Sequence, residues 1–301
     1  MCVINGIAWG LCALALAQPA TAQESPTITK IRETGILSLG YREKSIPFSY
    51  LDSHQRPVGY MVDICKRIGE IIKAQLKLPE LGYKMVPVSP ATRLALVSNG
   101  SVDMECGSTT NNDERQRSVS FLFTTFVAAT RFVSRKEAPV ISVKDLRGKT
   151  VVSTAGTTSV YLLNAINQKN DLNLQVLSAV DHAEAFNMIE IRRAAAFLMD
   201  DVLLYGLLSG VTKPSSYVLS EEAFSVEPYA IMVRKDDAAF QEIANQAILD
   251  IFNSGEIFAI YKRWFESPIA PSDANLRMPM SSAVKRVIAK PSSSGVAQDY
   301  R

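Results

Sequence analysis

Lys84-Met85-Val86-Pro87-Val88, then Arg93-Leu94-Ala95-Leu96-Val97, then Asn99-Gly100 and Val102-Asp103-Met104-Glu105-Cys106, decide the fold. A short apolar run, a helical run closed by Asn-Gly and a second apolar run read as strand, helix, strand. That is a βαβ unit, and it predicts a mostly parallel sheet covered by helices. Working outward, residues 36–42 alternate as a strand that ends in a loop through Pro47. Residues 58–73 read as a strand end running into a helix, with Val62, Ile64, Ile68, Ile71 and Ile72 on its apolar face. The pattern restarts after Lys136, with strands expected at 151–153, 174–177 and 195–199 and helices at 158–167, 183–191 and 201–208. A second α/β unit is the economical reading. The extended stretches 121–133 and 226–233 can each cross between the units, and two crossings mean that one unit is inserted into the other. The return is helical, with a break at Asn253-Ser254-Gly255. Residues 23–29 are expected as a polar linker, and the Pro- and Ser-rich residues 271–301 as an arm, partly docked at best and frayed near its end.

The 301 residues are 47% hydrophobic and 21% charged, which excludes disorder over most of the length. Lysine plus arginine is 32 against 30 acidic residues, so there is no basic footprint for nucleic acid. Residues 1–22 carry no charged side chain, and an apolar core from Ile7 to Ala17 is followed by Ala20-Thr21-Ala22, which fits a signal peptide cleaved before Gln23. The core is too short to span a bilayer, so an exported, soluble mature protein is expected. Cleavage removes Cys2 and Cys12. The remaining Cys65 and Cys106 are both in the first unit, and an oxidising compartment would let them pair, although spacing alone does not show that they meet. With only His54 and His182 in the chain, neither a zinc site nor any other metal or cofactor is implied.

Four segments could carry a site, each at the carboxyl end of an expected strand, where open α/β sheets bind ligands. Cys106-Gly107-Ser108-Thr109-Thr110 offers hydroxyls, and Arg115 can reach back over them with a fork that suits a carboxylate. Ala155-Gly156-Thr157-Thr158-Ser159 offers threonines and free amides at a helix start, though without the lysine of a phosphate loop. In Asp181-His182-Ala183-Glu184 a capping box would put His182 at the first helical position, as a neutral ring with one hydrogen bond to donate. In Asp200-Asp201 one carboxylate can cap the next helix while the other is left to meet an ammonium group. Locally, each segment fits an ordinary helix cap equally well. With Arg42 and Arg93, the candidates Arg115 and Asp200 sum to +2, which favours a ligand of net negative charge that also carries one cation.

These residues resemble the periplasmic substrate-binding proteins of polar amino acid ABC transporters (bacterial solute-binding protein family 3), and among them the glutamate/aspartate-binding branch. The similarity runs from about Thr29 to Pro271. It is carried by Gly40-Tyr41-Arg42-Glu43, Pro47-Phe48-Ser49-Tyr50, Glu105-Cys106-Gly107-Ser108-Thr109-Thr110, Asp181-His182-Ala183-Glu184-Ala185-Phe186, Met199-Asp200-Asp201, Val226-Glu227-Pro228-Tyr229 and Lys262-Arg263-Trp264-Phe265.

The resemblance implies an α/β periplasmic binding protein fold of type II: two lobes, two hinge strands and a ligand in the cleft between them. It divides the chain into a signal peptide (1–22), a first lobe (29–131 and 229–270), an inserted second lobe (132–228) and the arm (271–301). It implies that Arg115, Thr110, Thr157 and Thr158 take the α-carboxylate, that Asp200 and Ser108 take the α-ammonium, and that Arg42, Arg93 and His182 read the side-chain carboxylate. The expected partners are an acidic amino acid and the membrane permease subunits of an ABC transporter, with the binding protein itself a monomer in the periplasm. Exported cyclohexadienyl dehydratases share the fold, but the one acid placed in this cleft is committed to an ammonium. A sensor with another client is the other alternative. Two departures stand out: Pro90 replaces a serine usual three residues before Arg93, and Arg192-Arg193-Ala194-Ala195-Ala196 replaces a Gly-Arg-Ala-Asp-Ala run, a change expected on the outside of the second lobe.

Overall fold

The computed structural model describes Cys2 and residues 25–301. The signal-peptide reading otherwise lies outside the described residues. Among the described residues no helix is long and apolar enough to cross a membrane.

The opening βαβ reading holds. Strands Gly82–Pro87 and Met104–Glu105 both lie parallel to Ile36–Tyr41, and the helix Arg93–Ser98 connects them. Two late strands complete this five-stranded sheet. Met232–Arg234 runs antiparallel between Met104–Glu105 and Val119–Phe121, so the chain returns to the first sheet after an excursion. The excursion builds a second sheet. Thr150–Thr154 lies parallel to Gln175–Ala179 and to Ala196–Asp200, and the ten-residue strand Phe126–Arg135 runs antiparallel to Ala196–Asp200. Between the sheets the chain runs side by side with itself: Ser225–Tyr229 pairs antiparallel with Phe126–Thr130. The Leu122 and Thr125 amides continue that ladder by donating to Ile231 O and Tyr229 O.

An aromatic block packs under this double crossing. Phe48, Tyr60, Phe126, Tyr229, Tyr261 and Phe265 form edge-on and stacked pairs with centroids 4.3–6.4 Å apart, and the Tyr60 hydroxyl donates to Thr125 O. Such pairs add about 0.5–1.5 kcal/mol each beyond their buried area, so the crossing strands rest on a firm base. Cys65, on the helix Tyr60–Gln75, is disulfide-bonded to Cys106 at the strand end leading into Ser108 and Thr110.

Two expectations fail at the ends of the chain. The linker begins a helix, Pro26–Thr34, whose first turn is set by Ser25 accepting from the Ile28 amide and by Pro26 at the first position. The expected fraying arm is folded. It contains the helix Ser282–Ala289, whose Val284 and Val287 are buried. Beyond the helix, Ser292 O accepts from the Thr124 amide and Ser293 O from Asn111 Nδ2. Tyr300 is only 3% exposed and its hydroxyl meets that of Thr124, so the last residues are tied to the loop that enters the crossing.

Candidate functional site

The first lobe supplies three buried arginines. Arg42 follows the strand Ile36–Tyr41, and its amide donates to Ser49 Oγ at 2.8 Å. Arg93 opens its helix at 2% exposure and donates from one terminal nitrogen to Ser108 O (3.2 Å) and to the Thr109 hydroxyl. Arg115 donates to Thr110 O at 2.7 Å and reaches Gly156 O of the second lobe at 3.5 Å. Burial first, and then the neighbouring Arg93, lower Arg42 to about 9 and Arg115 to about 10; burial likewise lowers Arg93.

The second lobe answers with the ends of its own strands. His182 is the first residue of the helix His182–Glu190. Asp181 accepts from the Glu184 amide as expected, but Glu184 reaches back to the Val180 amide, one residue short of a full capping box. The ring is buried and its Nδ1 pairs with the Thr154 hydroxyl at 2.9 Å. Desolvation, then Arg42 and Arg93, hold it well below its usual range, so it is neutral and is a close neighbour of both arginines. Thr157 turns its hydroxyl onto Thr154 O, and Thr158 donates to Glu227 Oε2 at 2.8 Å. Asp201 takes the helix-start role, accepting from the Val202 amide, while Asp200 Oδ1 lies 2.9 Å from the Thr130 hydroxyl and its other oxygen accepts from Tyr229.

The two lobes touch across the cleft. Gly156 has φ +73°, and a Cβ there would lie 2.8 Å from the Pro90 carbonyl carbon. Pro90 is therefore a contact between lobes. Lys44 and Asp181 also bridge the mouth at 3.0 Å.

Sequence reasoning missed two carboxylates. Glu105 is fully buried, accepts from the Thr109 hydroxyl at 2.6 Å and faces Arg42 and Arg93. A Cβ on Gly107 would lie 2.2 Å from its Oε1, so any side chain there would push the Glu105 carboxylate from its place. Glu227, on the crossing strand, accepts through one oxygen from Thr110 of the first lobe (2.6 Å) and Thr158 of the second. Counting both as carboxylates, the expected surplus of two positive charges becomes zero with Asp200 ionised and one with Asp200 protonated. The available signal was an acid in an otherwise apolar strand, as in Val102-Asp103-Met104-Glu105-Cys106 and Val226-Glu227-Pro228-Tyr229.

Several buried polar atoms here have no hydrogen-bond partner: Arg93 Nε, Ser108 Oγ, His182 Nε2 and Glu105 Oε1. Unpaired buried polar atoms are costly and usually mark a ligand, water or ion. Three of these four can donate, beside a guanidinium that has no hydrogen-bond partner among the described residues, that of Arg42. Among the described residues no cluster of His, Cys, Asp and Glu is fit to hold a metal ion.

The sequence profile of the bacterial extracellular solute-binding proteins, family 3, matches residues 37–267. The chain belongs to that family. Among family relatives, the L-glutamate/L-aspartate-binding protein of Pseudomonas aeruginosa is 46% identical over 94% of each chain. The glutamate/aspartate import solute-binding protein of Escherichia coli is 38% identical over 92% of each chain. Among solved structures, a mutant of ArgBP from T. maritima superposes with a TM-score of 0.70 at 26% identity, covering 80% of this chain and 99% of that one. These relatives are transport solute-binding proteins rather than enzymes. The family match ends at residue 267, before the folded C-terminal segment.

Proposed function

We propose that this family 3 protein captures L-glutamate and L-aspartate in the periplasm and delivers them to the membrane permease of an ABC transporter. The reading is supported by its glutamate/aspartate-binding relatives at 38–46% identity. The observation that carries it is the group of unpaired buried donors, Arg93 Nε, Ser108 Oγ and His182 Nε2, next to Arg42.

A ligand carboxylate would satisfy Arg93 Nε and His182 Nε2, a ligand ammonium would donate to Ser108 Oγ, and charge-assisted bonds are about twice as strong as neutral ones. On this reading Arg42, Arg93 and His182 take the side-chain carboxylate, and Ser108 meets the α-ammonium. Arg115 takes the α-carboxylate, supported by the Thr157-Thr158 turn and Thr110, and Asp200 takes the α-ammonium. Residues 132–228 act as the moving lobe against 29–131 and 229–270, and the protein works as a monomer. Contacts to both lobes favour the closed form, because the open form cannot make them.

The test is calorimetric titration of protein that has been unfolded, washed free of bound amino acid and refolded. Glutamate and aspartate binding far more tightly than glutamine is the expected result, and equal affinity for glutamine would refute the reading.

A further inference from the structure

The oxygens between Asp200 and Glu227 are spaced for one more proton than the intervening hydroxyls carry. Asp200 Oδ1 lies 2.9 Å from Thr130 Oγ1, which lies 2.6 Å from Ser225 Oγ, which is hydrogen-bonded to Glu227 Oε1. Thr130 Oγ1 also lies 3.4 Å from Glu227 Oε1, a longer contact than the others; the three short contacts in a row are served by two hydroxyls with one proton each. With both acids ionised, one hydroxyl donates to Asp200 and the other to Glu227, which leaves Thr130 and Ser225 facing each other with lone pairs alone. One acid proton completes the chain: Asp200 donates to Thr130, Thr130 to Ser225 and Ser225 to Glu227. The remaining oxygens cannot supply it, because Asp200 Oδ2 accepts from Tyr229 and Glu227 Oε2 accepts from Thr110 and Thr158.

We propose that Asp200 and Glu227 form one acid pair that holds a single proton in the free protein, relayed through the Thr130 and Ser225 hydroxyls, and that the ammonium of a bound amino acid displaces this proton to solvent. The ammonium keeps its own three protons, and the acid proton leaves to buffer. Glu227 thereby becomes a determinant of ammonium binding beside Asp200, and the proposal rests on the reading of Asp200 as the ammonium acceptor.

The surroundings agree. Asp200 is 2% and Glu227 4% exposed, too dry for two neighbouring negative charges to coexist cheaply. Asp200 is faced by Glu227 and Tyr229 from the crossing strand, by Asp201 from the helix that follows it, and by Arg93 and Arg115 from the first lobe. Desolvation and then Glu227 push it up to about 8. A cation arriving against the pair favours the ionised form and draws the proton off. Since the free protein holds that proton below about pH 8, affinity should rise about tenfold per unit from pH 6 to 7 and level off above roughly pH 8.

Calorimetry of glutamate binding at pH 7 in phosphate and in Tris, whose ionisation enthalpies differ widely, counts the protons released. About 0.9 proton is expected at a group with a pKa near 8. In Glu227→Gln the amide can donate to Ser225 and still accept from Thr110 and Thr158, so release should fall by more than half and the pH dependence should flatten. Identical heats in the two buffers, or undiminished release in Glu227→Gln, would overturn the proposal. A measurement without ligand separates it from the binding function: the infrared C=O stretch of a protonated carboxylic acid should be present in the free protein at pH 7 and lost in Asp200→Asn. If that band is missing, the pair does not hold a proton, whatever the protein binds; if it is present and glutamate gives no binding heat, the proton-holding pair stands, and the transport reading falls together with the displacement of the proton by an ammonium.

Discussion

Replacing Arg93 with glutamine tests how the cleft tells an acid from its amide. Arg93 is 2% exposed, tied to Ser108 O and Thr109 through one nitrogen, with Nε unpaired. If Nε meets the ligand's distal carboxylate, Arg93→Gln removes a buried charged partner, a loss of ~2–5 kcal/mol or roughly thirtyfold to several thousandfold in affinity. The same substitution also weakens the protein. Glu105 loses a facing cation and Ser108 O loses its donor, so about 1–2 kcal/mol of stability should go as well. The ratio of glutamate to glutamine affinity cancels that shared damage. Glutamine presents a neutral amide and should lose no more than about tenfold. Titration calorimetry of ligand-free wild-type and Arg93→Gln protein should therefore show the preference for glutamate shrinking by at least about threefold. An unchanged preference would mean that other residues read the distal group, and the role given to Arg93 would fall.

Three further outcomes follow from individual residues. Replacing Cys65 and Cys106 with alanine opens a loop of sequence separation 41. Chain-entropy reasoning puts the loss at about 4 kcal/mol, and denaturant melts showing under 1 kcal/mol would contradict it. Arg192 stands at φ +61°, in the left-handed region that favours glycine, so Arg192→Gly should stabilise by about 0.5–1 kcal/mol despite losing the exposed Glu137 ion pair; a lower Tm would count against strain at that turn. His182 is depressed in the folded state, so its contribution is whole above its unfolded pKa near 6.5 and is lost as pH falls toward the folded value. His182→Gln should flatten the fall in stability between pH 6.5 and 5, read by denaturant melts, and an identical slope in both proteins would mean that the ring is not held neutral.

The sequence carried what depends on local periodicity and caps. Apolar runs, Asn-Gly stops and the Asp181 cap are short-range signals, and each survived into an element of the expected type. The Asp200-Asp201 pair also divided, with Asp201 accepting from the Val202 amide at the helix start and Asp200 meeting Thr130 and Tyr229. Glu227 was different. Its role comes from Thr110 and Thr158, 117 and 69 residues away, meeting at one oxygen, and no window along the chain contains that information. The charge tally failed for the same reason, since Glu105 and Glu227 looked like ordinary strand acids until the sheets were assembled. The folded C-terminal segment was hidden by its composition. Serine and proline there suggest a loop, yet Ser292 and Ser293 use backbone carbonyls, which composition cannot report, to hold Thr124 and Asn111. At the other end the signal was present and passed over, because Ser25-Pro26 is an ordinary helix start.

The central claim is that buried donors around Arg42, Arg93 and His182 select an acidic side chain. It is tested most directly by titrating ligand-free wild-type protein with glutamate, aspartate, glutamine and arginine at pH 8.5, where the acid pair has lost most of its proton. The account predicts glutamate and aspartate binding at least about a hundredfold more tightly than glutamine, a gap of ~2.7 kcal/mol that fits one uncompensated buried carboxylate contact. Glutamine or arginine binding as tightly as glutamate would contradict it.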